Sequence, residues 1–199
     1  MVLSDREIRA AIDRQSIFIT PLPNPKQWTS TAVDLTLFNS LRRWKADLSA
    51  HGKDTIIDPM SPAFKFTALA DSSTEVIAIP DEGYVVEPKE FILGWTIEKI
   101  KLPHRSRIAA RVEGKSSLAR LGLGIHVTAP TIHAGFGFDP STPDSNGNPI
   151  QLEIFNVGPL KIRLRKGMAI CQLIFEEVHG TPEKGYQGQF STQTGEARG

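Results

Sequence analysis

Among 199 residues there is a single cysteine, Cys171, so no disulfide can form within the chain. It sits in the apolar run Ile170-Cys171-Gln172-Leu173-Ile174-Phe175, where a strand thiol is expected to be buried and inert. An excess of one charge is missing too: 23 Lys and Arg stand against 22 Asp and Glu, net +1. That excludes the basic surface a nucleic-acid partner would need, while a small phosphorylated ligand needs only a few placed cations. No apolar run approaches transmembrane length, and Met1-Val2-Leu3-Ser4-Asp5-Arg6 is not a signal peptide, so no membrane partner and a soluble, cytoplasmic protein are expected. With 40% hydrophobic and 23% charged residues, wholesale disorder is excluded. The expected organisation is one domain over 1–180 and a flexible tail over 181–199, Gly-, Gln- and Thr-rich and poor in apolar residues.

What is present is mostly of period two. Val33, Leu35 and Leu37 alternate with Ala32, Asp34 and Thr36, and strands are predicted at 75–79, 84–87, 91–102, 107–112, 124–128, 150–157, 161–165 and 168–178. Short strands separated by Gly, Pro, Asp and Asn give a mainly β barrel or sandwich. One helix precedes them: Ser4 and Glu7 form a capping box, Leu3 is placed to staple Ile8, and Ile8, Ala11 and Ile12 share a face. Pro21, Pro23 and Pro25 then make an extended arm. The stretch 41–70 reads as irregular with room for a short helix, and 137–148 as a long turn-rich connection.

The chemistry concentrates in Glu113-Gly114-Lys115-Ser116-Ser117-Leu118-Ala119-Arg120-Leu121-Gly122. A strand ends at Gly114, Ser116 or Ser117 caps a single helical turn, and Gly122 ends it. Free backbone N–H groups beside Lys115 suit a phosphate, although the same strand–turn serves equally as plain structure. Arg120 lies one turn beyond Ser116, as a surface cation or as the partner of a carboxylate. Glu153 is a candidate for that carboxylate: with Leu152 and Ile154 in the core it faces the opposite side, solvent or a cleft.

The run Gly114–Leu123 closely resembles the signature of dCTP deaminases. The likeness continues through Ile125-His126-Val127-Thr128-Ala129 and Leu152-Glu153-Ile154-Phe155-Asn156. Leu3–Ile8, Ala32–Leu35, Leu93–Glu98, Lys166–Met168 and Tyr186–Gln189 extend it in order along nearly the whole chain. The resemblance implies a distorted jelly-roll-like β-barrel of the dUTPase type, a homotrimer with active sites between subunits, and hydrolysis of dCTP to dUTP and ammonia. It implies Glu153 as the catalytic carboxylate, Ser116 and Arg120 as holders of the attacking water, and Lys115 and Ser117 as phosphate-binding residues. Ala129 to Ile132 would read the base, and Phe136 would lie beneath the deoxyribose. The tail residues Lys184, Tyr186 and Gln189 would also bind nucleotide. Zinc deaminases need an H-x-E and a P-C-x-x-C element; one cysteine cannot supply it, so magnesium is expected only through the substrate triphosphate. Another deoxycytidine nucleotide as substrate, or a non-catalytic nucleotide-binding trimer, are the competing expectations.

Three features depart from the family. Ile132-His133-Ala134-Gly135-Phe136 carries His133 where the family has an aspartate at the sugar 3′-hydroxyl, so a dUTPase step using that aspartate is not expected. His133 is read either as a sugar ligand or as an ordinary loop histidine. Residues 137–148 lengthen the connection to Glu153 and are expected to be a neutral surface insertion, since long loops cost little. Thr131 and the spacing of Lys184 to Tyr186 alter phosphate-binding positions.

Overall fold

The alternating stretches pair into three antiparallel sheets in the computed structural model, which describes residues 1–46 and 56–185. The largest sheet runs β4 (Thr74–Ala78), β3 (Ser40–Trp44), β6 (Phe91–Lys101), β10 (Asn148–Asn156) and β8 (Leu123–Ile125), with β1 (Phe18–Thr20) also on β6. A second sheet is β2 (Val33–Thr36), β12 (Ala169–Glu177), β7 (Ile108–Gly114) and β9 (Thr131–Ile132), and a ribbon joins β11 (Ile162–Leu164) to β5 (Tyr84–Val86). The fold is mainly β, as expected. The ladders do not close into a continuous barrel among the described residues.

The helix α1 (Asp5–Asp13) starts where the sequence places it, with the Ser4 hydroxyl accepting from the Glu7 amide at 3.3 Å. Ile8 and Ala11 are its buried residues. The proline arm is not wholly extended: Pro25–Gln27 form a 3-10 turn capped by Asn24. The stretch read as irregular contains the strand β3 as well as the helix α2 (Phe66–Ser73). Its charged sequence Leu41-Arg42-Arg43-Trp44 hides the strand, because Arg42 pairs with Asp71 on α2 and Arg43 with Glu75 on the neighbouring β4.

The core fills the space between the sheets with inward residues of each strand: Leu35, Leu37, Leu41, Ile92, Leu152, Ile154, Leu173 and Phe175 are fully buried. Beneath it runs a polar seam. Glu98 on β6, 3% exposed, accepts from the Thr36 amide at 2.8 Å, the Thr36 hydroxyl at 2.8 Å and Gln27 Nε2 at 2.7 Å. A buried carboxylate is tolerable when its lone pairs are met in this way. Asp34 is buried as well, so the polar side of β2 does not face water. Next to the seam, burial, helped by Glu98 and Asp34, pushes the Cys171 thiol far above its ordinary range, which keeps it protonated.

Leu152 and Ile154 are the buried residues on either side of Glu153, so their packing sets the facing of the whole strand. Leu152→Ala is expected to lower stability by about 2–5 kcal/mol, a fall in Tm of roughly 5–15 °C at fixed protein concentration. Calorimetry checks this.

Candidate active site

The outer face of the large sheet carries a cavity of about 400 Å³. Strands, a helix and a loop build it. β10 contributes Ile150, Gln151 and Glu153; β6 contributes Phe91 and Leu93; β3 and α2 contribute Trp44 and Phe66. The loop after β8 and the strand β9 with its turn supply His126, Ala129, Thr131, Ile132, His133 and Phe136. The walls are largely apolar, with polar groups gathered around Glu153 and His133, the usual composition of a small-molecule site. Among the expected residues, Glu153, Ala129, Ile132, His133 and Phe136 therefore converge on one space.

Glu153 reaches it because β10 alternates: Leu152, Ile154 and Asn156 go to the core while Gln151 and Glu153 turn outward. The side chain is 31% exposed and is hydrogen-bonded through Oε2 to His126 Nδ1. His126 is far more enclosed, 5% exposed, and its backbone amide also donates to the Glu153 carbonyl at 2.9 Å. Its φ is +59°, a left-handed conformation uncommon outside glycine, which turns the ring toward the carboxylate as the chain leaves β8. His126 Nε2 is buried without a hydrogen-bond partner among the described residues, so the cavity holds one polar nitrogen that a ligand can satisfy. Sequence reading assigns His126 no catalytic role, since the pairing across 27 positions exists only through strand register.

That register also displaces Arg120. β8 runs antiparallel to β10 with Leu123 opposite Asn156 and Ile125 opposite Ile154. The turn α3 (Ser116–Ala119) precedes β8 and so lies at the Asn156 end, whereas Glu153 lies at the other. Three strand residues alone separate those ends by roughly 10 Å. Within one chain no ion pair or hydrogen bond links Arg120 to Glu153 among the described residues; the partner of the carboxylate is His126. Ser116, Ser117 and Arg120 are exposed on this turn, which opens from Lys115 with no side-chain cap rather than from a capping serine. Gly122 does end the turn, at φ +92°.

Lys115 is engaged: its Nζ pairs with Asp34 Oδ2, and Asp34 Oδ1 accepts from Gln172 Nε2 at 3.0 Å. Lys184 lines a second cavity of about 460 Å³ with Ala109, Ala134, Val178 and Pro182, and His133 belongs to both cavities. Tyr186 and Gln189 lie outside the described residues. Among the described residues no three His, Cys, Asp or Glu side chains gather in a metal-holding group. The contributions sequence reading missed are aromatic and apolar: Trp44, Phe66, Phe91, Leu93 and Ile150, with Gln151. Period two marked 91, 93, 150 and 151 as strand positions without saying which face would meet a cleft.

Comparison with known proteins follows the same lines. The family described as dCTP deaminase-like matches residues 2–178. A Methanosphaera stadtmanae protein named "dCTP deaminase, dUMP-forming" is 36% identical over 93% of this chain and 83% of its own. A Sulfurihydrogenibium protein of that name is 37% identical over 98% and 94%. A Glaesserella parasuis "dCTP deaminase" is 34% identical over 95% and 90%. Among solved structures, the 2′-deoxycytidine 5′-triphosphate deaminase of Agrobacterium tumefaciens shares the fold, with a TM-score of 0.63 at 20% identity. The match covers 89% of this chain, which spans about half the length of that one.

The seat of α3 depends on a glycine pair. A Cβ on Gly122 would lie 2.3 Å from the Gly158 amide nitrogen, and the left-handed φ adds strain of about 1–3 kcal/mol for a side-chain residue. Gly122→Ala is expected to loosen the turn, seen as faster amide hydrogen exchange over 116–121 with the β7–β12 ladder unchanged.

Proposed function

We propose that this chain, which belongs to the dCTP deaminase-like family, hydrolyses the exocyclic C4–N bond of dCTP to give dUTP and ammonia. The observation that carries this reading is Glu153: a carboxylate on a strand, facing a largely apolar cavity and held by a nearly buried histidine. Hydrolytic deamination needs a proton carrier at that spot. Water adds to C4 while Glu153 takes its proton and passes it to ring N3. A second transfer to the exocyclic nitrogen lets ammonia leave, and the carboxylate is restored. His126 fixes the carboxylate through Nδ1, and its Nε2 is left for the substrate.

The base would sit against Ala129 to Ile132 with the deoxyribose over Phe136. His133 would stand at the junction with the second cavity, toward which the triphosphate runs past Lys184. Lys115, Ser117, Tyr186 and Gln189 would supply further phosphate contacts, and magnesium would enter only with the triphosphate, whose charge it partly neutralises. The protein would be a homotrimer of dUTPase-type jelly-roll subunits, residues 1–180 forming the domain and 181–199 a tail that closes on the nucleotide. The separation of Arg120 from Glu153 within a chain supports this assembly. The Ser116–Arg120 turn of a neighbour would bring its hydroxyl and guanidinium to Glu153, keeping the carboxylate ionised and the water oriented.

A second reading of the product is favoured by relatives whose names end in "dUMP-forming". His133, in place of an aspartate, supports stopping at dUTP. Assaying ammonia and pyrophosphate together decides: ammonia alone is expected, and equal pyrophosphate would establish the longer reaction.

Two variants test the rest. Glu153→Gln is expected to lose turnover by a hundredfold or more, as general acid–base groups typically contribute about 10²–10⁴, while still binding dCTP in calorimetry. A wild-type protein that binds dCTP yet releases no ammonia from any cytosine nucleotide would make it a binder instead. Mixing Glu153→Gln with Arg120→Ala, each inactive alone, is expected to restore part of the activity, because mixed assemblies then contain sites with both native residues. No recovery after co-refolding would mean that Arg120 and Glu153 do not meet across a subunit boundary.

A further inference from the structure

The connection 137–148 does not lie loosely on the surface. It leaves the cavity at Phe136 and returns to it at Ile150, so both its ends are walls of the site. Between them it folds back over the end of β6. Lys101, 5% exposed, donates its Nζ to the carbonyls of Pro143 and Ser145, both at 2.8 Å, with the ammonium 4.1 Å from the centre of the Phe18 ring. None of the described carboxylates pairs with Lys101, so the loop carbonyls and the ring face stand in for water around a buried cation. Gly137 and Gly147 clasp the same carbonyl from two sides: a Cβ on either would lie 2.1 and 2.4 Å from the Ile100 oxygen.

The clasp is continuous with the site. The Leu102 amide donates to the Phe136 carbonyl at 2.8 Å, and the Gly135 amide to the Leu102 carbonyl at 2.6 Å. On the return side the Ile150 amide donates to the Thr96 hydroxyl at 2.9 Å, at the bulge from which β10 carries Gln151 and Glu153 into the cavity. The distance between Phe136 and Glu153 is thus set through β6 on both sides.

We infer that residues 137–148 are a clamp that fixes the spacing of Phe136 and Glu153, and that Lys101 is the positioning residue that closes it. Lys101 acts on substrate placement through the loop whose carbonyls it holds. The inference rests on the deaminase reading for its kinetic consequence, but the clamp itself can be observed without turnover.

The test compares wild type with Lys101→Met, which keeps the apolar stem, Lys101→Arg, which keeps the cation, and Gly147→Ala, which pushes the loop off Ile100. Hydrogen exchange without ligand is expected to quicken at least tenfold at 136–138 and 150–153 in Lys101→Met, with the β7–β12 ladder unchanged. In turnover of dCTP, Lys101→Met and Gly147→Ala are expected to raise KM about tenfold with kcat within about twofold, as loss of binding common to substrate and transition state predicts, and Lys101→Arg to recover most of it. Fast exchange confined to 139–147 with an unchanged KM would overturn the inference and leave a passive loop. Should wild type show no turnover, the Kd for dCTP replaces KM, so the deaminase reading can fail while the clamp is still decided. If Lys101→Met does not fold, wild type answers alone: dCTP is expected to slow exchange at 139–147, which lines no part of the cavity, and no slowing would sink the idea.

Discussion

The pairing of β8 with β10 is the constraint on which the site depends. Ile125 opposite Ile154 leaves the next residue, His126, facing Glu153, and the same register holds the Ser116–Arg120 turn at the far end of the ladder. A slip of one residue would exchange core and cavity faces and carry the carboxylate into the apolar interior. The fully buried Leu152 and Ile154 resist that slip, so hydrophobic packing on one face fixes the chemistry on the other.

This pairing explains why a single chain holds only part of the proposed machinery. Glu153, His126, Phe136, Ala129 and Ile132 lie together, while Ser116 and Arg120 project from an exposed turn. Exposure of an arginine that has no ion pair among the described residues, beside an exposed serine, is inexpensive in water. It becomes purposeful if that turn enters a neighbour's cavity, where guanidinium and carboxylate would compensate each other's loss of hydration.

Much of the architecture was readable from residue order alone. Val33 and Leu35 and most strands from 75 onward announced themselves by period two, although β9 did not and β8 stops at Ile125 short of the predicted 128, and Ser4 marked the first helix. The strand at Ser40–Trp44 escaped because its arginines find acidic partners across the sheet and on α2, a tertiary fact that no local pattern carries. Glu153 was legible as a residue facing away from the core, and the resemblance to dCTP deaminases named it. What period two could not give was its partner: His126 meets Glu153 through strand pairing and a left-handed backbone. The Trp44 and Phe66 walls are likewise assembled across the sheet from segments without strand alternation.

Lys115 extends the polar seam to the start of the Ser116–Ala119 turn. Its ammonium arrives already matched with Asp34, which is itself held by Gln172, a few steps from Glu98 and Gln27. An incoming phosphate would have to exchange places with a carboxylate as counter-ion, and only a multiply charged group gains enough to do so. An uncharged nucleoside has nothing to offer in that exchange. The resting ion pair would then act as a threshold that screens ligands by their charge before any contact with the base is made.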